Sequence, residues 1–238
     1  MKKQVSFLTF CLVFIISLTG CSKEWCGVEG AGPVTTESRL ITGFHGIDLE
    51  LSGTVVITTD SVYSVTVSTY QNYQGLIHFQ NHGGKLTIDS YKSLQDDNIR
   101  IEIHVPSLDY LSVGGSGRIL TSNMIQGSYL KLHVSGSGKL DISANLQTTD
   151  ADVSGSGSLY MNGAVNTARM NVSGSGTIHA YPMKCQTNNA IVSGSGRIET
   201  HVISALDANI SGSGDIFYIG FPTLYTHISG SGSLVNKN

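Results

Sequence analysis

The chain has 238 residues, of which 40% are hydrophobic, 13% are charged and 28 are glycine, and its formal net charge is −3 at neutral pH. The hydrophobic fraction excludes a disordered chain, and the negative charge argues against a nucleic-acid-binding protein. Val, Ile, Leu, Thr and Tyr dominate over Ala and Glu, so the composition predicts strands and very little helix.

The N-terminus predicts an exported, lipid-anchored protein. A basic pair precedes an apolar run at residues 5–18, which is too short to span a bilayer comfortably, and the segment ends in LTGC at residues 18–21. This ending resembles a bacterial lipobox, so we expect residues 1–20 to be a lipoprotein signal peptide and Cys21 to carry the lipid. An ordinary secretory signal with a chance cysteine is the alternative. Two or more acyl chains on Cys21 would hold the protein on a membrane that it does not cross.

The mature chain is expected to begin with a tether. Residues 22–38 lack hydrophobic periodicity and contain Gly, Pro and Ser. We therefore expect residues 21–38 to form a flexible connection between the lipid and the folded body. Loss of the two lysines in the signal peptide would lower the net charge of the mature chain to −5.

Two cysteines, Cys26 and Cys185, remain after the signal peptide and the lipidated residue are set aside. Exported proteins form disulfides readily. The sequence is equally compatible with a bond between these two residues and with two unrelated thiols.

Residues 39–110 show the pattern of short strands. Apolar residues recur at every second position in β-branched runs, which are separated by Gly-Gly at 83–84 and by a polar stretch at 93–98. The predicted strands are 44–51, 54–58, 63–68, 85–89 and 99–105. We expect a β-rich N-terminal half that continues into the residues that follow.

A short repeat fills residues 111–238. Seven serine-glycine cores, GGSG once and SGSG six times, begin at intervals of 21, 19, 19, 20, 18 and 18 residues. A β-branched residue precedes each core: Val113, Val134, Val153, Val172, Val192, Ile210 and Ile228. Two positions after each core stands a second apolar residue: Ile119, Leu140, Leu159, Ile178, Ile198, Ile216 and Leu234. The residue between the core and this second apolar position is polar in all seven copies.

These columns predict a solenoid. Self-similarity at a short period is typical of one, and units of 18 to 21 residues are too short for propeller blades. We expect an all-β, single-stranded, right-handed parallel β-helix whose coils, about 4.8 Å apart, form a rod on the order of 30 Å long. A left-handed hexapeptide helix is the alternative, because several apolar residues are six positions apart, but the spacings of 19, 20 and 21 break strict hexads.

The serine-glycine cores are expected to determine shape rather than to perform chemistry. Stacked coils place identical residues above one another, and Ser and Gly tolerate copies of themselves. Glycine also allows positive φ and a close backbone approach, while serine hydroxyls can satisfy polar groups along the stack. The glycines given this structural role are Gly136, Gly138, Gly155, Gly157, Gly174, Gly176, Gly194, Gly196, Gly212, Gly214, Gly230 and Gly232.

A known family resembles this chain in a combination of features. These are the tandem VSGSG units, the run IRIEIHVPSLDYLSVGGSG at residues 99–117, GDIFYIGFP at 214–222, the final ISGSGSL and the lipobox. Over residues 42–234 the chain is similar to the family described as "putative auto-transporter adhesin, head GIN domain". The resemblance implies a β-helical fold and an exported, often lipid-anchored protein of Bacteroides-like bacteria, with no assigned activity.

No catalytic, metal or cofactor site is predicted. His133, Asp152 and Asn171 occupy the position two before the core and would stack on consecutive coils, which could mimic an active-site row. An exposed polar row is the simpler interpretation. His78 and His82 could face one metal ion only on a helix, which the strand pattern excludes. The serine-glycine cores lack the Lys and the helix of a phosphate loop, and they lack the strand-to-helix turn of a nucleophile elbow.

An aromatic cluster stands near the end of the repeat and consists of Phe217, Tyr218, Phe221 and Tyr225. Aromatic side chains on a flat β surface could bind a sugar or a protein partner. They could also cap the open end of the solenoid, which must hide its apolar core and its unpaired strand edge. We favour a core or end-capping role.

The sequence therefore predicts a non-catalytic, lipid-anchored protein of the bacterial cell envelope, in the outer membrane and facing either the surface or the periplasm. Its β-helix would present a binding or scaffolding surface to a glycan or an envelope protein, without a cofactor or a nucleic-acid partner. Two alternatives remain open. One is a purely structural or envelope-stress periplasmic lipoprotein without an external ligand, and the other is a polysaccharide-acting enzyme that uses Asp152 or His133.

Overall fold

The computed structural model describes residues 27–238, so the predicted signal peptide, Cys21 and Cys26 lie outside the described residues. This part of the chain contains 17 β-strands and one 3-10 turn, and none of it forms a helix long and apolar enough to cross a membrane. All 17 strands belong to one hydrogen-bonded sheet that winds into a solenoid, which confirms the predicted fold class. The strands are β1 (Val34–Arg39), β2 (Gly46–Leu49), β3 (Thr54–Thr59), β4 (Ser64–Tyr70), β5 (Ile77–His82), β6 (Lys85–Ser90), β7 (Ile99–Val105), β8 (Tyr110–Val113), β9 (Arg118–Thr121), β10 (Ile125–Val134), β11 (Lys139–Val153), β12 (Ser158–Val172), β13 (Thr177–Val192), β14 (Arg197–Gly212), β15 (Asp215–Ile219), β16 (Thr223–Gly230) and β17 (Ser233–Asn236).

Successive coils pair in parallel, and their corners lie above one another. Strands β11 to β14 each run from one serine-glycine corner to the next. Val153 before one corner pairs with Val172 before the next, and Lys139 after a corner pairs with Ser158. Bulges at 180–184 and 185–187, where β13 pairs with β14, absorb a difference in coil length. The corners therefore stay in register although the repeat length varies.

The core is built from the two apolar columns that flank the corners. Successive pairings join Leu49, Val113, Val134, Val153, Val172, Val192, Ile210 and Ile228 into the first column. The second column contains Val55, Ile119, Leu140, Leu159, Ile178, Ile198, Ile216 and Leu234. Apart from the last member of each, these side chains are at most 1% exposed. Burial of such side chains stabilises the fold by roughly 1.5–3 kcal/mol each.

The corners are tight because the backbones of successive coils touch there. The carbonyl of Gly136 accepts hydrogen bonds from the N–H groups of both Ser156 (3.1 Å) and Gly157 (3.0 Å) in the next coil. The carbonyls of Gly155, Gly194 and Gly212 each accept two backbone hydrogen bonds from the next coil in the same way. A Cβ atom on any of the twelve glycines that were given a structural role would lie within 3.0 Å of a carbonyl oxygen of the preceding coil. Only glycine fits these positions.

Positive φ explains few of these glycines. Of the twelve, Gly212 (φ 144°) and Gly230 (φ 125°) alone have a backbone conformation that L side chains rarely adopt. At the other ten positions glycine is required by the close approach of the preceding coil. The serine side chains do not satisfy buried groups as expected, because those of the six SGSG corners are exposed to solvent.

The N-terminal half adds two coils that lack the SGSG core. β2 and β3 pair in parallel with β8 and β9, and on their other side they pair with β6 and β7. The order of coils in space therefore differs from the order in the chain, since β6 and β7 lie outside β2 and β3. The apolar columns continue through both extra coils, with Ile88 beside Leu49 and Ile101 beside Val55.

Antiparallel strands close this end of the solenoid. β5 and β6 form a hairpin whose turn, Gly83-Gly84, has φ values of 59° and 82°, as a tight two-residue hairpin requires. On the other side of the coil, β4 pairs antiparallel with β7, and β1 pairs antiparallel with β4. Phe44 and Tyr73 are fully buried near these strands.

The predicted tether is wrong over residues 27–38. β1 covers the free edge of β4, Val28 forms a β-bridge with Leu94, and the N–H of Gly30 donates to the Asp96 carboxylate at 2.7 Å. These residues bind through backbone groups, and five of the six side chains of β1 are polar, so no period-two apolar pattern indicated the strand. The strand also includes Arg39 and so crosses the predicted domain boundary at 38/39.

Cys185 lies in the core with no exposed surface, and within the described residues it forms no disulfide. Burial raises the pKa of its thiol to about 12. A disulfide with Cys26 would require the N-terminal segment to reach the interior of the β12–β14 coils.

The corner contacts predict a large difference between two glycine substitutions. In Gly157→Ala the new Cβ would lie 2.5 Å from Val134 Cγ1 and closer still to the Gly138 carbonyl. Overpacking of this kind should lower the free energy of unfolding by about 1–3 kcal/mol. Equilibrium urea unfolding of residues 27–238, followed by circular dichroism, measures the change.

Gly127→Ala is the matched control. Gly127 lies within β10, and the nearest atom to its Cβ position outside its chain neighbours is Leu146 Cδ2 at 3.7 Å, an ordinary contact. This variant should be neutral or more stable by about 0.4–1 kcal/mol. Equal unfolding midpoints for the two variants would contradict the packing argument.

Candidate functional site

A polar row runs along the outer surface one residue before the first apolar column. Parallel pairing places His133 beside Asp152 and Asp152 beside Asn171. The Asn171 amide donates to the Asp152 carboxylate at 3.2 Å. Ile191 follows in the next coil and ends this polar segment. The side chains lie in a line along the coils and do not converge on a shared groove, as acid–base catalysis would require.

The described residues offer no cluster of three or more His, Cys, Asp and Glu side chains that could hold a metal ion. His78 and His82 both lie on β5. The Nδ1 atom of His78 faces the Asp89 carboxylate at 3.2 Å on the neighbouring strand. His78 therefore has a structural contact that joins the two strands of the hairpin.

The corners present two rows of exposed serine hydroxyls along one ridge. Every SGSG corner contributes both of its serines, and the GGSG corner contributes one. The exposed serines are Ser116, Ser135, Ser137, Ser154, Ser156, Ser173, Ser175, Ser193, Ser195, Ser211, Ser213, Ser229 and Ser231. Shallow depressions beside the ridge are lined by such serines together with Arg118 or Arg197.

The four aromatic residues that the sequence grouped do not form one patch. Phe217 and Tyr218 are neighbours on β15, so they project to opposite sides of the sheet. Tyr218 is 8% exposed and belongs to the hydrophobic core, whereas Phe221 and Tyr225 are 90% and 62% exposed. Tyr218 is therefore a core residue, and the other three lie at the surface.

Phe217 belongs to a row of aromatic and charged side chains, here named the aromatic row, on the outer surface after the corners. The Lys139 ammonium lies 3.8 Å from the centroid of Tyr160, and Tyr160 stacks on His179 at 4.5 Å. His179 Nδ1 lies 2.8 Å from the Glu199 carboxylate. Farther along, Arg197 and Lys237 lie on the ring of Phe217 at 4.9 and 4.8 Å.

The aromatic row was missed because each contact joins residues of different coils. Tyr160, His179, Glu199 and Phe217 occupy one column of the parallel register. Alignment of the residue three places after each core would have revealed this column in the sequence. The row gives the solenoid a half-exposed aromatic and cationic surface, which is suited to contact with a ligand that has both apolar and hydrogen-bonding groups.

Two carboxylates meet on the coil of β2 and β3. The Lys85 ammonium donates to Asp48 Oδ2 at 2.9 Å, while the buried Oδ1 of Asp48 has no hydrogen-bond partner among the described residues. The Glu50 carboxylate lies directly over Gly114, where a Cβ would collide with both of its oxygens. A side chain at position 114 would require the flexible Glu50 side chain to move.

The pKa values of Glu50 and Lys85, which both lie beside Asp48, are shifted. Partial burial, followed by the negative charge of Asp48, raises the pKa of Glu50. The nearby Lys85 opposes this effect. The pKa of Lys85 is itself raised, chiefly by its hydrogen bond to Asp48.

Glu50→Gln should stabilise the protein at neutral pH. Because the pKa of Glu50 is higher in the folded than in the unfolded state, the fold binds this proton more tightly, and stability falls as pH rises above the ordinary value of 4.5. Glutamine stays neutral and can donate to Asp48 Oδ1. The gain should be below about 1 kcal/mol at pH 7, because Glu50 is partly solvated, and should vanish near pH 4.

Thermal unfolding at pH 4 and pH 7 tests this expectation. Glu102→Gln is the control, because it removes an exposed ion pair with Arg100 (2.9 Å) and should bring no gain at neutral pH. A Glu50→Gln effect that is the same at both pH values would show that ionisation is not involved.

Comparison with known proteins agrees with the architecture. The family model described as "Putative auto-transporter adhesin, head GIN domain" matches residues 43–222, which confirms the resemblance. A solved structure of a "putative adhesin" from Bacteroides fragilis NCTC 9343 has a TM-score of 0.84 at 23% identity, covering 89% of this chain and 100% of that one.

Two further solved structures share the fold. A "putative adhesin" from Parabacteroides merdae ATCC 43184 has a TM-score of 0.73 at 18% identity, and a "Putative lipid binding protein" from Parabacteroides distasonis ATCC 8503 has a TM-score of 0.75 at 24% identity. Each match covers 89% of this chain and 99% of the other. No curated protein sequence matches this chain.

Proposed function

Because the chain belongs to the "Putative auto-transporter adhesin, head GIN domain" family, we propose that it is a non-catalytic cell-envelope protein whose solenoid presents a binding surface. One observation carries this proposal. The polar and aromatic side chains of the outer surface form rows along the coils, and parallel pairing repeats each position from coil to coil. Such rows suit an extended partner, such as a glycan or a protein strand, better than a small substrate.

The aromatic row is the part of this surface that we assign to the ligand. Tyr160 and Phe217 are half-exposed, and Lys139 and Arg197 lie over their rings. The exposed parts of such rings can contact the apolar surface of a sugar, and the cations over them add hydrogen-bond donors. The row crosses several coils, so successive units of a linear glycan would meet successive side chains.

A screen of purified residues 27–238 against glycans and envelope components tests this assignment. Tyr160→Ala should weaken binding of any ligand found by about tenfold or more, as loss of a central aromatic contact does. Thr167→Ala, an exposed position on a different part of the coil, is the matched control and should leave binding unchanged. A ligand that binds both variants as well as it binds the wild type would place the site elsewhere.

We also assign a lipid anchor to Cys21. Only five residues separate Cys21 from Gly27, the first residue that the structure describes. Even a fully extended segment of this length spans only about 20 Å. Gly27 and Val28 pack beside Ser93 and Leu94 at the capped end of the solenoid. The anchored protein would therefore sit close to the membrane with that end towards it.

Cys21→Ala should move the protein from the membrane fraction to the soluble fraction and abolish labelling with a radioactive fatty acid. Two acyl chains provide stable anchoring, and without them no other membrane contact is expected. Cys26→Ala, which removes the neighbouring thiol, should behave like the wild type. Membrane retention and labelling of Cys21→Ala would refute the anchor.

Surface exposure is tested on intact cells. Added protease should cut the body of a surface-displayed protein, while a periplasmic control protein survives. Purified residues 27–238 must be cut under the same conditions. Protection on cells would instead place the solenoid on the periplasmic face and remove external partners from consideration.

A further inference from the structure

The two ends of the solenoid differ. At one end, the antiparallel strands β1, β4 and β5 cover the outermost coil. At the other end lies the C-terminal coil, residues 220–236, in which β16 pairs only with β14 and β17 only with β15. All eight residues of β16 are exposed. One edge of each of these two strands therefore has no partner among the described strands.

The core is open at the C-terminal coil. Ile228 continues the first apolar column, yet it is 45% exposed, whereas Val192 and Ile210 before it are 0% and 1% exposed. Leu224 on the same strand is 41% exposed, and Tyr225 and Phe221 are 62% and 90% exposed. Leu206 and Ile210, which pair with Leu224 and Ile228 from the preceding coil, are buried.

Backbone hydrogen-bonding groups of the C-terminal coil also lack partners among the described residues. The carbonyl of Gly212 accepts N–H groups from Ser231 and Gly232 of the C-terminal coil. Gly230 holds the same position one coil later, and no described coil follows it. The end therefore combines an apolar surface with free backbone donors and acceptors, the combination that favours strand addition.

The C-terminal coil carries no carboxylate, ammonium or guanidinium group, and its one basic side chain is His227. Residues 220–236 contain no Asp, Glu, Lys or Arg, although 13% of the whole chain is charged. Exposed strand edges are ordinarily protected from pairing by charges or by proline. Pro222 lies just before β16 and Lys237 just after β17, so the two strands themselves contain neither. In a two-fold contact each surface meets its own copy, so a charge near the axis would lie close to its like-charged copy. A neutral coil is what a self-complementary edge requires.

We propose that two copies of this chain join end to end through their C-terminal coils. A two-fold axis normal to the strands pairs β16 with the β16 of a second copy in antiparallel fashion, and covers Leu224 and Ile228. Association stops at two copies, because the two-fold contact uses the C-terminal coils of both copies, and the opposite end presents antiparallel strands instead of an open parallel coil. The contact is therefore a closed dimer and not a fibre.

Sedimentation equilibrium of purified residues 27–238 measures the association. We expect a reversible dimer, and we expect Tyr225→Glu and Tyr225→Lys each to weaken it by at least about tenfold, because like charges would meet across the joined edges. Tyr225 is mostly exposed on the outer side of β16, so neither substitution disturbs the core. An equimolar mixture of the two variants should recover the dimer as a mixed pair.

Thr167→Glu, far from this coil, is the control and should dimerise like the wild type. A wild-type protein that stays monomeric over the whole concentration range overturns the proposal and would leave the edge to a different partner. A dimer that neither Tyr225 variant weakens also overturns it, because the contact would then lie elsewhere. These outcomes are independent of ligand binding by the aromatic row, which Tyr160→Ala reports.

Discussion

The close approach of one corner to the next is the constraint on which the structure depends. Each SGSG corner is joined by backbone hydrogen bonds to the corners of the neighbouring coils. The space that a Cβ atom of its glycines would need is occupied by the carbonyls of the preceding coil. This contact holds the strands on both sides in register. Because register determines which side chains face inward, the two apolar columns and all the outer rows follow from it.

Much of this could be predicted from the sequence, since stacking in register turns a structural column into a fixed spacing. The strands, the corners and the two apolar columns were visible for that reason. The N-terminal end was harder, because β6 and β7 lie outside β2 and β3 in space although they follow them in the chain. β1 was missed because it binds through its backbone and buries almost nothing. The Glu50–Gly114 contact and the aromatic row join residues of different coils, and only the register brings them together.

The same regularity shapes what the molecule can do. An active site needs unlike groups that converge, whereas stacked coils produce like groups in lines. His133, Asp152 and Asn171 show the difference, because they are adjacent in space but face the solvent side by side along β10 to β12. Such a surface is consistent with a family described as "Putative auto-transporter adhesin, head GIN domain". The two ends of the rod also differ in structure, so the rod is polar along its axis.

The corner glycines also bear on how this kind of protein can change in evolution. Each corner touches only copies of itself above and below, so duplication or deletion of one whole coil recreates the same contacts at the new junction. The rod can therefore lengthen or shorten in steps of one strand spacing, about 4.8 Å, without redesign of its interior. The specialised ends cannot be copied in this way, since β1 and the β5–β6 hairpin fit only the outermost coil. Length should vary among relatives more freely than the two termini.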